Sequence, residues 1–210
     1  TLDAQGEGRV VVVTGTQGVL LEALRLTGGD ASGLGGVLDT DAGGGVLAVS
    51  AGLTLSRCEV FSNVASTLFS GLGGGIAATT STLSLRDTQV VSNAGSDAAF
   101  GIGEGGGLFA VSSAVRVDDG RFGGNVASSG GLLAGFGGGT ALYESALEAN
   151  ATFWISNTTS SNLDWGQGGG LFVTGMQPLT LTNCVLMDNR ARQDAGGSGT
   201  ALFLDGAAGI

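Results

Sequence analysis

Histidine and lysine are absent from this 210-residue sequence, and all eight basic residues are arginine. Imidazole bases, histidine metal ligands and lysine nucleophiles are therefore excluded at the outset. Proline occurs once and cysteine twice, against 42 glycines. A Pro/Gly-rich disordered tract is ruled out, and so is collagen, whose glycine recurs at every third position. Only 12% of residues are charged while 42% are apolar, enough to bury a core and too little charge for disorder. Eighteen acids leave a net charge of −10, which repels nucleic acid at long range. No apolar run approaches the roughly 20 residues of a membrane helix, so this region carries no transmembrane segment. No signal peptide opens the sequence, which starts at Thr1 as if in mid-domain, and targeting is not legible from it.

What the sequence does have is a repeat. GGG followed by an apolar residue or Thr recurs as Gly43–Val46, Gly73–Ile76, Gly105–Leu108, Gly137–Thr140 and Gly168–Leu171, then degenerates to Gly197–Thr200. The residue after the glycines returns at intervals of 30, 32, 32, 31 and 29. Asn63, Asn93, Asn125, Asn157 and Asn189 follow the same period. Fixed periods of this size mean a solenoid, propeller or array.

Alignment on the asparagines decides among these. Ten and eight residues before each lie Leu53/Leu55, Leu83/Leu85, Val115/Val117, Leu147/Ala149 and Leu179/Leu181, with Thr54, Ser84, Arg116, Glu148 or Thr180 between. That is the period of two of a strand. Val60, Val90, Phe122, Trp154 and Leu186 mark a second strand three before the Asn, and the segment after GGG alternates likewise. No segment reads as a capped helix. Three short strands per coil of about 31 residues give an all-β, parallel β-helix. The asparagines are expected to serve as turn residues in left-handed backbone, with stacked amides forming a ladder along the axis.

The pairing of GGG[VIL] with an aromatic or apolar residue three before Asn, as in FGGN (Phe122–Asn125) and WISN (Trp154–Asn157), resembles the GGA[ILV] and FxxN repeats of chlamydial polymorphic outer membrane proteins. It also resembles right-handed β-helix repeat proteins more broadly, pectate-lyase-like ones among them. The resemblance covers residues 20 to 204 and implies a right-handed coil and a cell-surface or extracellular setting. Here GGG stands in place of GGA. Residues 1–45 read as irregular first coils and 46–210 as regular coils of a single domain, itself a piece of a longer chain.

Cys58 and Cys184 each stand five residues before a ladder Asn, in one inward column with Thr88, Gly120 and Thr152 between. Four coils separate them by about 19 Å, beyond disulfide reach, so both are expected as free, buried thiols. Two N-x-[ST] sequons occur, at Asn150 and Asn157. Asn150 faces outward and is the candidate for N-glycosylation. Stacking brings Asp87 beside Asp119, and Arg86 beside Asp118 with Arg121 close by. Paired carboxylates of this kind could hydrolyse a glycan or hold Ca²⁺. The resemblance to polygalacturonase-like and pectate-lyase-like enzymes implies histidine or basic catalytic residues, and histidine and lysine are missing here.

The outward positions of the GGG strand ought to be polar and are not. They read Leu47, Ala77, Phe109, Ala141, Phe172 and Ala201, then Val49, Thr79, Val111, Tyr143, Thr174 and Phe203. The loops entering GGG carry Leu68, Phe69, Phe100, Ile102, Leu132, Leu133, Phe136, Leu163 and Trp165. An apolar strip like this marks an interaction site unless the loops cover it themselves. Leu47, Phe109, Tyr143, Phe172, Phe203, Phe69, Phe100, Phe136 and Trp165 form the expected interaction face. The expected function is a non-enzymatic structural or interaction module of a cell-surface or extracellular assembly, without cofactor or metal. Its expected partners are other protein subunits or further domains of the same chain. The alternative is a glycan-binding or glycan-cleaving β-helix of polysaccharide lyase or glycoside hydrolase type.

Overall fold

A computed structural model describes residues 1–130, 133–160, 166–191 and 200–206. Among them there is no helix. The chain winds into a parallel β-solenoid of about six turns of roughly 32 residues, with three strands per coil around the interior. The strand after GGG builds a seven-stranded sheet from Val11–Thr14, Val46–Val49, Ile76–Thr79, Leu108–Val111, Thr140–Tyr143, Leu171–Thr174 and Leu202–Asp205. The leucine-pair strands, such as Thr82–Arg86 and Ala114–Asp118, form a six-stranded sheet. The strands before each Asn, such as Gln89–Val91 and Arg121–Gly123, form a third, of seven strands.

Alternation settles which way each side chain points. Leu53, Leu83, Val115, Leu147 and Leu179 pair in one column, and all belong to the inner core. Phe122 stacks on Trp154 with ring centroids 5.4 Å apart. The Trp154 indole N–H donates to Thr140 Oγ1 at 3.0 Å, so the one polar atom of the ring is satisfied in the interior.

The corners between these strands follow one rule. A residue in left-handed backbone is followed by an inward-facing residue, and where that residue is Ser, Thr or Asn its side chain hydrogen-bonds at the corner. Ser50, Thr80 and Ser112 take positive φ at one corner, and Ser81, Ser113 and Ser145 accept from the backbone N–H of the preceding coil at 3.0 Å. Arg57, Asp87 and Asp119 take it at the next corner, followed by Cys58, Thr88 and Gly120. Ser62, Ser92, Gly124, Ser156 and Asp188 take it at the third. The asparagines themselves are therefore not the left-handed residues, contrary to the expectation from sequence. Each follows one, and its side chain turns inward.

The ladder is complete across five rungs. Asn63 Nδ2 donates to Asn93 Oδ1 at 3.0 Å, Asn93 to Asn125 at 3.1 Å, Asn125 to Asn157 at 3.0 Å and Asn157 to Asn189 at 2.9 Å. Each Oδ1 also accepts a backbone N–H, as Asn125 Oδ1 does from Asn93 N at 3.0 Å. The adjoining glycines leave room for it. Gly105 has φ of 60°, and a Cβ on Gly106 would overlap the Val126 carbonyl. A Cβ on Gly107 would sit 2.5 Å from the Gly139 oxygen and 2.9 Å from Asn125 Nδ2. Each glycine of the triplet is thus required for its own reason.

The last coil departs from the expected alignment. Leu202 pairs with Leu171 and Phe203 with Phe172, so Phe203, not Ala201, continues the Phe172 column. A shift of two residues preserves which side faces inward. It also stacks Phe203 on Phe172, with ring centroids 5.3 Å apart.

Candidate functional site

The segment between the ladder Asn and GGG does more than connect. It adds two short ladders outside the central tube. One contains Val64–Ser66, Ala94–Ser96, Val126–Ser128 and Thr158–Ser160. The other contains Gly71–Leu72, Gly103–Glu104, Gly135–Phe136 and Gly166–Gln167, and begins with an antiparallel hairpin of Gly36–Val37 and Thr40–Ala42. Close packing sets their path, because a Cβ on Gly71, Gly103 or Gly135 would overlap a neighbouring backbone carbonyl. Buried Ser66 donates to Asp41 Oδ2 at 2.8 Å, and Ser96 to the Phe69 carbonyl at 2.7 Å. Asp41 in turn accepts from the Gly33 and Gly35 amides at 3.0 Å each.

This outer layer lies on the apolar strip of the GGG sheet. Ala42, Leu72, Glu104, Phe136 and Gln167 form one column along the loops. Each stands five residues before Leu47, Ala77, Phe109, Ala141 and Phe172 respectively. The sizes are complementary: Leu72 is matched with Ala77 and Phe136 with Ala141, while small Ala42 is matched with Leu47. Val37, Ala42, Leu47, Leu72, Ala77, Phe109, Ala141 and Phe172 make a second buried core. Phe109 is 2% exposed and Phe172 6%, and burying one such side chain contributes about 1.5–3 kcal/mol. Tyr143, Phe136 and Phe203 are half-buried against them. Tyr143 lies 5.5 Å from the rings of both Phe109 and Phe172, and Phe136 lies 5.3 Å from Phe172. Leu47, Phe109 and Phe172 are therefore covered by the loops of this chain.

What stays open is the row of loop tips. Leu38 is 75% exposed, Leu68 59%, Phe69 70%, Phe100 74% and Leu133 39%. They sit just before the strands of the outer ladder, so successive coils raise them in a ridge. Asp39 and Asp97, both exposed, flank it. Trp165, Leu132 and Leu163 lie outside the described residues.

Within the layer, Glu104 is the one acid of its column. Burial raises its carboxyl above the ordinary range, partly opposed by a hydrogen bond with the Tyr143 hydroxyl. Burial likewise pushes the Tyr143 phenol up, and the Glu104 charge and hydrogen bond add to the shift.

The other candidates are dispersed. Asp87 and Asp119 are exposed corner residues in left-handed backbone, a conformation Asp tolerates. Asp118 is held by Arg116 at 2.8 Å, and Arg116 also reaches Glu148 at 3.4 Å. Arg86 pairs with Asp118 across the sheet in backbone register, and Arg121 is exposed one corner on. Cys58 and Cys184 are free. Cys58 is buried, and Cys184 is half-buried. Each thiol donates to a backbone carbonyl, Leu21 and Thr182 respectively, at 3.3 Å. Asn150 is exposed and Asn157 fully buried. Among the described residues no group of three or more acids and cysteines is placed to hold a metal ion. None of their helices, since there are none, could cross a membrane.

Sequence reasoning missed two features. One is Leu38, on a hairpin that precedes the first GGG. The other is an apolar patch on the outside of the Asn-strand sheet. There Phe153 pairs with Val185 and Ile155 with Met187, and Phe153, Val185 and Met187 are exposed. Its signal was present in the column Glu59, Gln89, Arg121, Phe153, Val185, which turns from polar to apolar along the axis.

No protein-family model, curated protein or solved structure matches the chain.

Proposed function

We propose that this chain is a structural and interaction module of a cell-surface or extracellular assembly, stiff along its axis and contacting its partners through loop tips. The partners are other protein subunits or further domains of the same chain. The observation that carries this reading is the ridge of Leu38, Leu68, Phe69, Phe100 and Leu133, exposed on a layer whose own base is packed. Apolar side chains left wet side by side favour association. The likeness of the GGG[VIL] and Asn repeats to those of polymorphic outer membrane proteins supports the surface setting. No catalytic role is assigned.

The alternative glycan reading draws on a shallow groove of about 530 Å³ outside the leucine-pair sheet, lined by Ser84, Arg86, Arg116, Glu148 and Thr180 among others. Arg116 and Glu148 there are already joined in an ion pair at 3.4 Å, which leaves fewer groups for a sugar.

Photo-crosslinking separates the two. A benzophenone amino acid replacing Phe69 or Phe100 in the native assembly is expected to capture a protein neighbour, and one replacing Thr54 on the leucine-pair sheet is not. Capture from Thr54 alone, or saccharide protection of the Arg86 and Arg116 groove, would overturn the module reading.

A further inference from the structure

We propose that the ridge of loop tips takes a second copy of this chain, seated on the outer face of that copy's Asn-strand sheet. The proposal rests on the module reading and deepens it by naming the partner.

Each chain carries two exposed apolar surfaces, unlike in shape and in charge. One is the ridge, raised above the outer layer by Leu38, Phe69, Phe100 and Leu133. Its charges are acids. Asp39 and Asp97 are exposed, and neither joins an ion pair among the described residues. Asp39 and Phe69 line a notch of about 200 Å³ with Thr40, Asp41 and Ser70. Asp41 is committed to the Gly33 and Gly35 amides and the Ser66 hydroxyl. The Asp39 carboxylate is therefore the open anion of the notch, with an aromatic face beside it, a pairing suited to a guanidinium.

The other surface is the outer face of the Asn-strand sheet. Phe153, Ile155, Val185 and Met187 make its apolar end, and Arg121 borders them one coil earlier. Arg121 is exposed and joins no ion pair among the described residues. Its guanidinium lies over Gly123, where a Cβ would come within 3.3 Å of the Arg121 Cζ. Glu59 on the same face is already held by Arg25 at 2.6 Å.

Two facts select a copy of this chain as the occupant. The signs are opposite, acids on the ridge and a free arginine on the face. The spacings are equal, because one solenoid sets both: tips and face residues each advance once per coil, about 4.8 Å. A tip that seats in one place brings its neighbours into place with it. A foreign partner would have to reproduce that step, whereas a second copy has it by construction.

The match can be counted along the axis. Strands Arg25–Thr27, Glu59–Phe61, Gln89–Val91, Arg121–Gly123, Phe153–Ile155 and Val185–Met187 succeed one another in the sheet. The tips at Leu38, Phe69, Phe100 and Leu133 follow the first four of these in the chain. With axes parallel, a shift of three coils, about 14 Å, brings Asp39 to Arg121. The same shift sets Phe69 against Phe153 and Ile155, and Phe100 against Val185 and Met187. With axes antiparallel, Asp97 replaces Asp39 at Arg121 and Phe69 keeps its place. The net charge of −10 opposes approach from afar, and physiological salt screens that repulsion beyond about 8 Å. The contact joins two different surfaces and is heterologous.

The test is sedimentation velocity of the whole chain in physiological salt over a range of concentrations. The wild type is expected to rise above the mass of one chain as concentration increases. Phe69→Ser on the ridge and Phe153→Ser on the face are each expected to raise the half-assembly concentration roughly tenfold or more. Both positions are exposed, so the circular dichroism spectrum should stay unchanged. Mixed in equal amounts, the two variants retain one intact ridge and one intact face between them, and are expected to stop at two chains. Arg121→Glu is expected to weaken assembly, as are Asp39→Arg and Asp97→Arg together, and combining all three is expected to restore it. A wild type of one-chain mass at every concentration would overturn the proposal. So would wild-type assembly by Phe153→Ser, since the ridge would then be meeting something other than this face. Capture of a different protein by the crosslinker at Phe69, beside a monomeric wild type, removes the second copy and leaves the module reading standing. A crosslinker at Phe69 that captures no protein removes the module reading itself.

Discussion

The solenoid has two apolar interiors built on opposite principles. The inner one is a tube: three strands per coil, each in register with the next, close it on all sides with columns of Leu, Val and Ile. The outer one is a lid of two-residue and three-residue strands laid on the back of one wall. The tube gains from repetition, since in each strand every coil asks for an apolar side chain in the same place. The lid gains from contrast, with a large side chain on the loop wherever the strip has alanine. A repeat that only repeats fills a tube, whereas a lid has to be fitted.

Charge placed in the tube should have the largest effect. Leu85→Asp puts an unpaired carboxylate between Leu55 and Val117, where all three positions are buried, and its cost there is of the order of the whole stability of a domain. The expected outcome is loss of the β circular dichroism spectrum and of the thermal transition. A folded variant would refute the register. Truncation in the lid should be smaller and local. Phe109→Ala removes the centre of the second core at a cost of about 3–5 kcal/mol, felt first by the loops. Exchange at Gly105 and Gly73 is expected to accelerate while Leu85 keeps its protection. Equal acceleration at both would mean that tube and lid open as one unit. The smallest effect belongs to the outside of the tube away from the lid. Thr54→Asp, at a half-exposed position of the leucine-pair sheet, should change stability by no more than about 0.5 kcal/mol, measured by denaturant midpoint.

That ordering mirrors how much of each region was legible in the sequence. The tube was readable because a period of two, carried by Leu53/Leu55 through Leu179/Leu181, fixes which side faces in, and the glycine triplets fix the register. The strip of Leu47, Phe109 and Phe172 was also readable as apolar and outward. Whether the loops or another chain cover it was left open, because strands such as Gly71–Leu72 are too short to show any period. The clue lay elsewhere, in the five-residue offset that sets Leu72 against Ala77 and Phe136 against Ala141. The ladder was foreseen, but the strained backbone falls one residue earlier than expected. An inward amide and a left-handed φ are tasks for two neighbouring residues, as Ser92 and Asn93 show. The last coil misled because its strand begins at Leu202, two residues later than alignment on the glycines placed it, with Leu202 and Leu204 turned to the inner core and Phe203 stacked on Phe172.

The asparagine ladder has a direction. Each of its four rung-to-rung bonds runs from an amide nitrogen to the carbonyl oxygen of the following coil, so the side-chain dipoles add along the axis instead of cancelling. A hydrogen-bonded chain of this kind polarises itself, each link strengthening the next. Asn125, with two rungs on either side, sits where that mutual reinforcement is greatest. The spine of the solenoid is thereby electrically polar, its two ends chemically unlike, and a coil can join it in only one sense.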